Sequence, residues 1–128
     1  MTKIYDVYRC EICGNIIESV HGGSNSLVCC GEAMTKMDPK SGPEAQEKHL
    51  PIIEKNVNKI VVKIGSTPHP MVEDHFIEWI EIIIGDKSQK AFLKSGDEPF
   101  AEFEVANTNE PIIARAYCNI HGLWAANY

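Results

Sequence analysis

Tyr117-Cys118-Asn119-Ile120-His121-Gly122 sets one thiol and one imidazole three residues apart behind a β-like run, the spacing of a metal-ligand pair. Four of the five histidines, His49, His69, His75 and His121, share the C-terminal part of the chain with that late cysteine. His49 follows a predicted helical turn, His69 is locked between Pro68 and Pro70, His75 precedes a predicted strand, and His121 sits beside Cys118. One histidine at such a loop position is ordinarily a surface or hydrogen-bonding residue. Four of them, with a cysteine and flanking prolines, favour a shared metal. His21, in a Gly-rich loop, keeps the ordinary reading.

Four neutral imidazoles and one thiolate would be one donor too many for tetrahedral zinc and unlike the oxygen-rich sites of calcium and magnesium, which leaves iron as the natural candidate. With the nitrogens in a plane and the sulfur axial, the opposite axial position would be open to a small oxygen species. The thiolate would push electron density toward it, as in thiolate-ligated haem. Glu47 and Lys48 directly precede His49 and so could flank that position. Most such dipeptides are solvated pairs. The functional alternative is that Lys48 attracts a small anion that the net charge of −6 would otherwise repel. At ~6 Å a unit charge contributes ~0.7 kcal/mol in bulk water and ~3 kcal/mol at an effective dielectric of about 20, so the effect matters only in a partly shielded site.

Cys10-Glu11-Ile12-Cys13-Gly14 and the later Cys29-Cys30-Gly31 form a second donor set, with the arrangement of a four-thiolate metal site. A Cys-x-x-Cys turn aims two sulfurs and several backbone N–H groups at one point, which favours thiolate over thiol. A redox disulfide at Cys10/Cys13, or buried inert thiols, leaves part of the set unaccounted for. Adjacent residues of an extended chain point to opposite sides, so Cys29 and Cys30 can share a metal only if the backbone bends there, which is expected to distort the tetrahedron. Soft thiolates suit zinc and iron alike.

The elements that must position these groups are short. At 128 residues, 44% hydrophobic and 23% charged, the chain can bury one core and carry a small appendage. The acidic balance, with scattered lysines, argues against nucleic-acid or anionic-membrane partners. No long apolar run follows the N-terminus, and the stretch from Ile80 to Ile84 is interrupted by Glu81, so neither a leader nor a membrane span is expected. Cysteines in metal-type spacing are unlike a secreted disulfide scaffold and point to a reducing cytoplasm.

Residues 5–37 read as weakly alternating hairpin segments, too few to fold without a metal staple. Asp38-Pro39-Lys40-Ser41-Gly42 marks a boundary, which predicts domains at 1–37 and 38–128. Ser41-Gly42-Pro43-Glu44 predicts a helical turn from Pro43 to Lys48. Leu50 to Lys55 reads as a strand edge. Strands are then predicted at Lys59–Ile64, Phe76–Ile84, Gln89–Leu93, Ala101–Val105, Ile112–Tyr117 and Leu123–Tyr128, a β-sandwich pattern. Alternation breaks along Phe76–Ile82, so that strand is central, bulged or covered on both faces.

As a set, these motifs resemble desulfoferrodoxin, the two-iron form of superoxide reductase, over nearly the whole chain. Cys10-Glu11-Ile12-Cys13-Gly14-Asn15 with Leu27-Val28-Cys29-Cys30-Gly31 is similar to its desulforedoxin-type iron site. Glu47-Lys48-His49, Pro68-His69-Pro70-Met71, His75 with Glu78-Trp79-Ile80-Glu81, and Tyr117 to Gly122 resemble its catalytic iron segments. The resemblance implies a mainly β protein, with a desulforedoxin-like metal-stapled N-terminal domain and an immunoglobulin-like β-sandwich. It implies two iron ions per chain, the catalytic one ferrous and held by His49, His69, His75, His121 and Cys118. It further implies an oxidoreductase that reduces superoxide to hydrogen peroxide, a homodimer, and an electron donor such as rubredoxin. By the same resemblance Lys48 assists superoxide and Glu47 ligates ferric iron after turnover. Ala116 departs from the family's Arg-Glu-Tyr-Cys pattern, which spares every ligand and bears on the surroundings of Cys118. The rival classes are a non-catalytic iron electron-transfer protein and a zinc-stapled β interaction module.

Overall fold

β-Branched runs at Lys59–Ile64 and Ile77–Ile84, each followed by a positive-φ glycine, Gly65 or Gly85, form two of the strands around which the fold is built. The computed structural model describes residues 2–23, 26–41 and 48–128. It divides into two compact units, one ending at Asp38 and the other beginning at Pro39.

In the first unit, β1 (Val7–Arg9) lies between β2 (Ile16–Glu18) and β5 (Thr35–Lys36), both antiparallel to it. A separate hairpin joins β3 (Val28–Cys29) and β4 (Glu32–Ala33). Among the described apolar residues here only Val7, Tyr8 and Cys10 are buried, whereas Ile12, Ile17, Val20 and Val28 are exposed. So little buried apolar surface cannot offset the chain entropy of folding, and a cross-link of some kind is required.

The second unit is a sandwich. One sheet has the order β10-β7-β6, built from β6 (Pro51–Asn56), β7 (Lys59–Ile64) and β10 (Phe100–Glu104). The other has the order β12-β11-β8-β9, from β8 (Ile77–Ile84), β9 (Lys87–Phe92), β11 (Ile113–Cys118) and β12 (Gly122–Asn127). All strand pairings among its described residues are antiparallel. Ile60, Val62, Ile64, Ala101 and Phe103 from the first sheet meet Ile80, Ile82, Ile84, Ala114 and Ala116 from the second in one core. Seven strands in three- and four-stranded sheets over a shared core make an immunoglobulin-like sandwich.

β8 is central in its sheet, nearly every residue of it is buried, and its pairing with β11 shifts register between Tyr117 and Cys118. The broken alternation of this strand therefore has three causes at once. Its second face carries a fully buried carboxylate, Glu81, which accepts hydrogen bonds from Arg115 Nε at 2.9 Å and Lys90 Nζ at 2.6 Å. Trp79 stacks on Tyr117 beside it, with ring centroids 5.9 Å apart.

β9 begins at Lys87, two residues before the sequence pattern places it, because Gly85 (φ 60°) and Asp86 close a two-residue hairpin that pairs Ile84 with Lys87. The helical turn expected over 43–48 lies outside the described residues except for Lys48, which is in a turn. No helix among the described residues is long and apolar enough to cross a membrane.

Candidate metal centres

The first centre forms at one end of the small unit. β1 delivers Cys10, whose N–H donates to Asn15 O (2.8 Å) and whose carbonyl accepts from Gly14 N (2.9 Å). Gly14 at φ 82° reverses the chain so that Cys13 N–H points at Cys10 Sγ, 3.4 Å away. The Cys29-Cys30 pair meets its geometric demand by a left-handed residue: Cys30 has φ 54° and Gly31 φ 77°. For a non-glycine residue this conformation costs about 1 kcal/mol or more. It brings both sulfurs to one side, 3.9 Å apart, with Cys13 Sγ 3.6 Å from Cys29 Sγ. All four sulfurs, of Cys10, Cys13, Cys29 and Cys30, lie within 4.8 Å of one another, and none forms a disulfide.

The electrostatics of this cluster call for a cation. Backbone N–H groups of Cys13 and Ile12 pull the Cys10 thiol down to about 6. Sharing hydrogen bonds with Cys13, Cys29 and Cys10 pushes Cys30 up to about 12, and contact with Cys13 and Cys10 raises Cys29. Left to itself the cluster favours a thiolate at Cys10 and resists one at Cys29 or Cys30. A bound metal ion supplies the charge that lets all four ionise.

The second centre lies at one end of the sandwich. His49 stands just before β6, His69 and His75 come from the β7–β8 connection, Cys118 closes β11, and His121 is in the turn before Gly122 (φ 83°). The four imidazoles form a closed ring. His49–His69 centroids are 5.1 Å apart, His69–His75 4.9 Å, His75–His121 5.1 Å and His121–His49 4.6 Å, each pair edge to face. Cys118 is fully buried, and its sulfur lies 3.7 Å from His121 Nδ1 while accepting the His121 N–H at 3.4 Å. All five donor atoms lie within 4.8 Å of one another.

Two of these donors are otherwise inexplicable. His69 Nε2 and His75 Nε2 are buried without a hydrogen-bond partner, an arrangement that costs free energy unless something completes it. His69 Nδ1 donates to Pro70 O at 2.7 Å, which fixes the tautomer and leaves a lone pair on Nε2 for a metal. Burial first, then the neighbouring imidazoles and Lys40, hold His49 down to about 4. Burial likewise lowers His69 and His121, the charge of Lys48 adding to the effect at His69 and that of Lys40 at His121. At neutral pH these three rings are uncharged and available as donors. A metal ion fits this set.

Of the other site residues, Lys48 is exposed next to His49, and Glu47 lies outside the described residues. Ala116 is fully buried in the core two residues before Cys118, so no polar group stands there. Two residues not singled out from sequence complete the surroundings. Asn119 Oδ1 accepts the Phe76 N–H (3.0 Å) and Nδ2 donates to Asp74 O (3.1 Å), tying the Cys118 turn to the His75 loop. Trp124 stacks on His49 at 4.8 Å, the rings 18° from parallel. Asparagine directly after a cysteine at a strand end is a turn signal that could have marked the first; nothing local marks the second.

A sandwich ending in four imidazoles and a thiol, preceded by a four-cysteine unit, defines a two-centre non-haem metalloprotein. The desulfoferrodoxin family model matches residues 41–127 and the desulfoferrodoxin N-terminal domain model residues 2–37. The chain belongs to the desulfoferrodoxin family. It is 53% identical over 124 residues to a desulfoferrodoxin homolog of Archaeoglobus fulgidus, covering 97% of this chain and 98% of that one. A protein of Pyrococcus abyssi named superoxide reductase is 33% identical over 108 residues, 71% of this chain and 94% of its own. The crystal structure of superoxide reductase from Treponema pallidum shares the fold, with TM-score 0.75 at 24% identity, covering 94% of this chain and 95% of that one. With its two domains the chain has two iron ions as cofactors, one for each donor set.

Proposed function

We propose that this chain is a superoxide reductase: superoxide takes up one electron and two protons and leaves as hydrogen peroxide, and an external donor returns the electron. The ring of four imidazoles, two with buried unpartnered nitrogens, closed by the buried Cys118 thiol, carries this reading. His49, His69, His75, His121 and Cys118 would hold one iron ion, which when bound supplies the electron, with the thiolate raising its tendency to give that electron up. The remaining chemistry belongs to the chain. His69 is fixed in its tautomer by Pro70 O, and Asn119 keeps the Cys118 and His75 segments together. Lys48, exposed beside His49, draws in the anionic substrate against a net charge of −6. Glu47 has the adjoining place in the chain and the role of closing the metal site after turnover.

Cys10, Cys13, Cys29 and Cys30 would hold the second ion, the staple and electron relay of domain 1–37, with the reaction confined to domain 38–128. The scant buried apolar surface of the small unit supports the staple. Five free cysteines support a reducing, cytoplasmic setting. A homodimer and a rubredoxin-like electron donor complete the reading, resting on the family likeness.

Mixing the ferrous protein with pulse-generated superoxide tests it. Iron should be oxidised within the encounter, with peroxide formed and no oxygen released. Iron that stays ferrous under stoichiometric superoxide would assign the same ligands to a pure electron-transfer protein.

A further inference from the structure

We propose that Lys40 is a second cationic guide at the imidazole-lined site, clamped there by the turn that carries His121, so that two lysines rather than one draw a small anion inward. This rests on the superoxide reductase reading and adds a residue to it.

Lys40 stands at the start of the large unit, in a stretch whose composition marks it only as a boundary. Its backbone is fastened to β12 from both sides: its N–H donates to Leu123 O (2.8 Å) and its carbonyl accepts from Ala125 N (3.0 Å), making a parallel bridge to Trp124. With the backbone so fixed, the side chain is aimed. Nζ donates to His121 O at 3.1 Å and lies 5.4 Å from the centroid of the Trp124 ring. Trp124 stacks on His49, and His49 Nε2 is 3.0 Å from His121 Nδ1. The ammonium is therefore one carbonyl away from one imidazole of the ring and one indole away from another.

The charge is available to a substrate. Of the three ammonium donors one is used by the His121 carbonyl. Neither a carbonyl nor an indole face neutralises a cation. Lys36, Lys59, Lys63 and Lys90 all have carboxylate partners, while among the described residues no carboxylate lies within ion-pair distance of Lys40. Lys40 is exposed, as a guide must be. A unit charge within about one Debye length, ~8 Å at physiological salt, of an anion's entry path alters encounter rates by about two- to tenfold.

The test uses the full-length iron-loaded protein and its Lys40→Met, Lys40→Arg, Lys48→Met and Lys40→Met/Lys48→Met variants. Circular dichroism and iron content are recorded for each. The first readout is the bimolecular rate of ferrous oxidation by pulse-generated superoxide as a function of ionic strength. The second is the affinity of the oxidised protein for azide, a small monoanion, followed by visible absorption. Lys40→Met should slow the reaction about two- to tenfold at low salt and flatten its salt dependence. It should also weaken azide binding, multiply with Lys48→Met, and be restored by Lys40→Arg. Wild-type rate, salt slope and azide affinity in Lys40→Met would overturn the proposal. So would a loss that is independent of salt or accompanied by loss of iron, since that marks a clamp and not a guide. Absence of any superoxide reaction in the wild type would instead sink the reductase reading, and the azide arm would still decide the part played by Lys40.

Discussion

Asn119→Ala should loosen the iron held by the imidazole ring without touching a ligand. The side chain makes two bonds across the site, Oδ1 accepting from Phe76 N at 3.0 Å and Nδ2 donating to Asp74 O at 3.1 Å. The backbone bond from Asn119 N to Phe76 O at 3.2 Å survives the substitution. The partly buried bond is worth about 1–1.5 kcal/mol and the exposed one about 0.5–1 kcal/mol. Their sum, about 1.5–2.5 kcal/mol, is the energy that holds the Cys118 turn against the His75 loop. If metal binding must now restore that order, affinity falls about 10- to 70-fold, in the range typical of groups that support metal ligands. The assay is competition between the iron-free protein and a chelator for Co(II), with the visible bands of the two centres read separately. The four-cysteine centre is the internal control and should bind as in the wild type. Asn119→Asp, which keeps the acceptor and loses the amide donor to Asp74 O, should show about a third of the loss in free energy. Less than a threefold change at the imidazole centre, or an equal loss at both centres, would refute the reasoning.

Cys118→Ser should abolish rapid oxidation by superoxide, whereas Cys13→Ser should leave it largely intact while the small centre loses its metal; rapid mixing with metal analysis separates the two. For the iron-free protein, His49 is depressed to about 4 from an unfolded value of 6.5, so the unfolded chain takes up the proton first. The stability this confers is present above pH 6.5 and is lost as pH falls toward 4, which acid titration of the iron-free protein by circular dichroism should show and iron loading should suppress. Arg115→Met should destabilise the large unit by about 3–5 kcal/mol in chemical denaturation, because it strips a main partner from a fully buried carboxylate.

The strands were legible because they are local. Lys59–Ile64 falls where the alternation of Ile60, Val62 and Ile64 puts it, and the other strands of the sandwich agree within about two residues, the usual uncertainty of element ends. The four-cysteine centre was legible as well, since Cys-x-x-Cys and Cys-Cys bring their own turn geometry. The way the adjacent pair shares one centre was not, because it depends on the positive φ of Cys30, which no propensity favours. Glu81 looked like an interruption in an apolar run. Only the pairing of β8 with β9 and β11 shows it buried between Lys90 and Arg115.

Residue types and spacing alone determined which donors exist, that they fall into a thiol set and an imidazole-rich set, and that a β framework must carry them. Tertiary structure alone decided how they meet. The order of the ring, His49 to His69 to His75 to His121, the burial of the orphaned nitrogens of His69 and His75, and the approach of Lys40, Asn119 and Trp124 all depend on segments separated by up to 81 residues. A pattern in sequence reports the chemistry of a residue and the local geometry around it. The distance between two loops is set by the sheets that end in them, and that is a property of the packed sandwich.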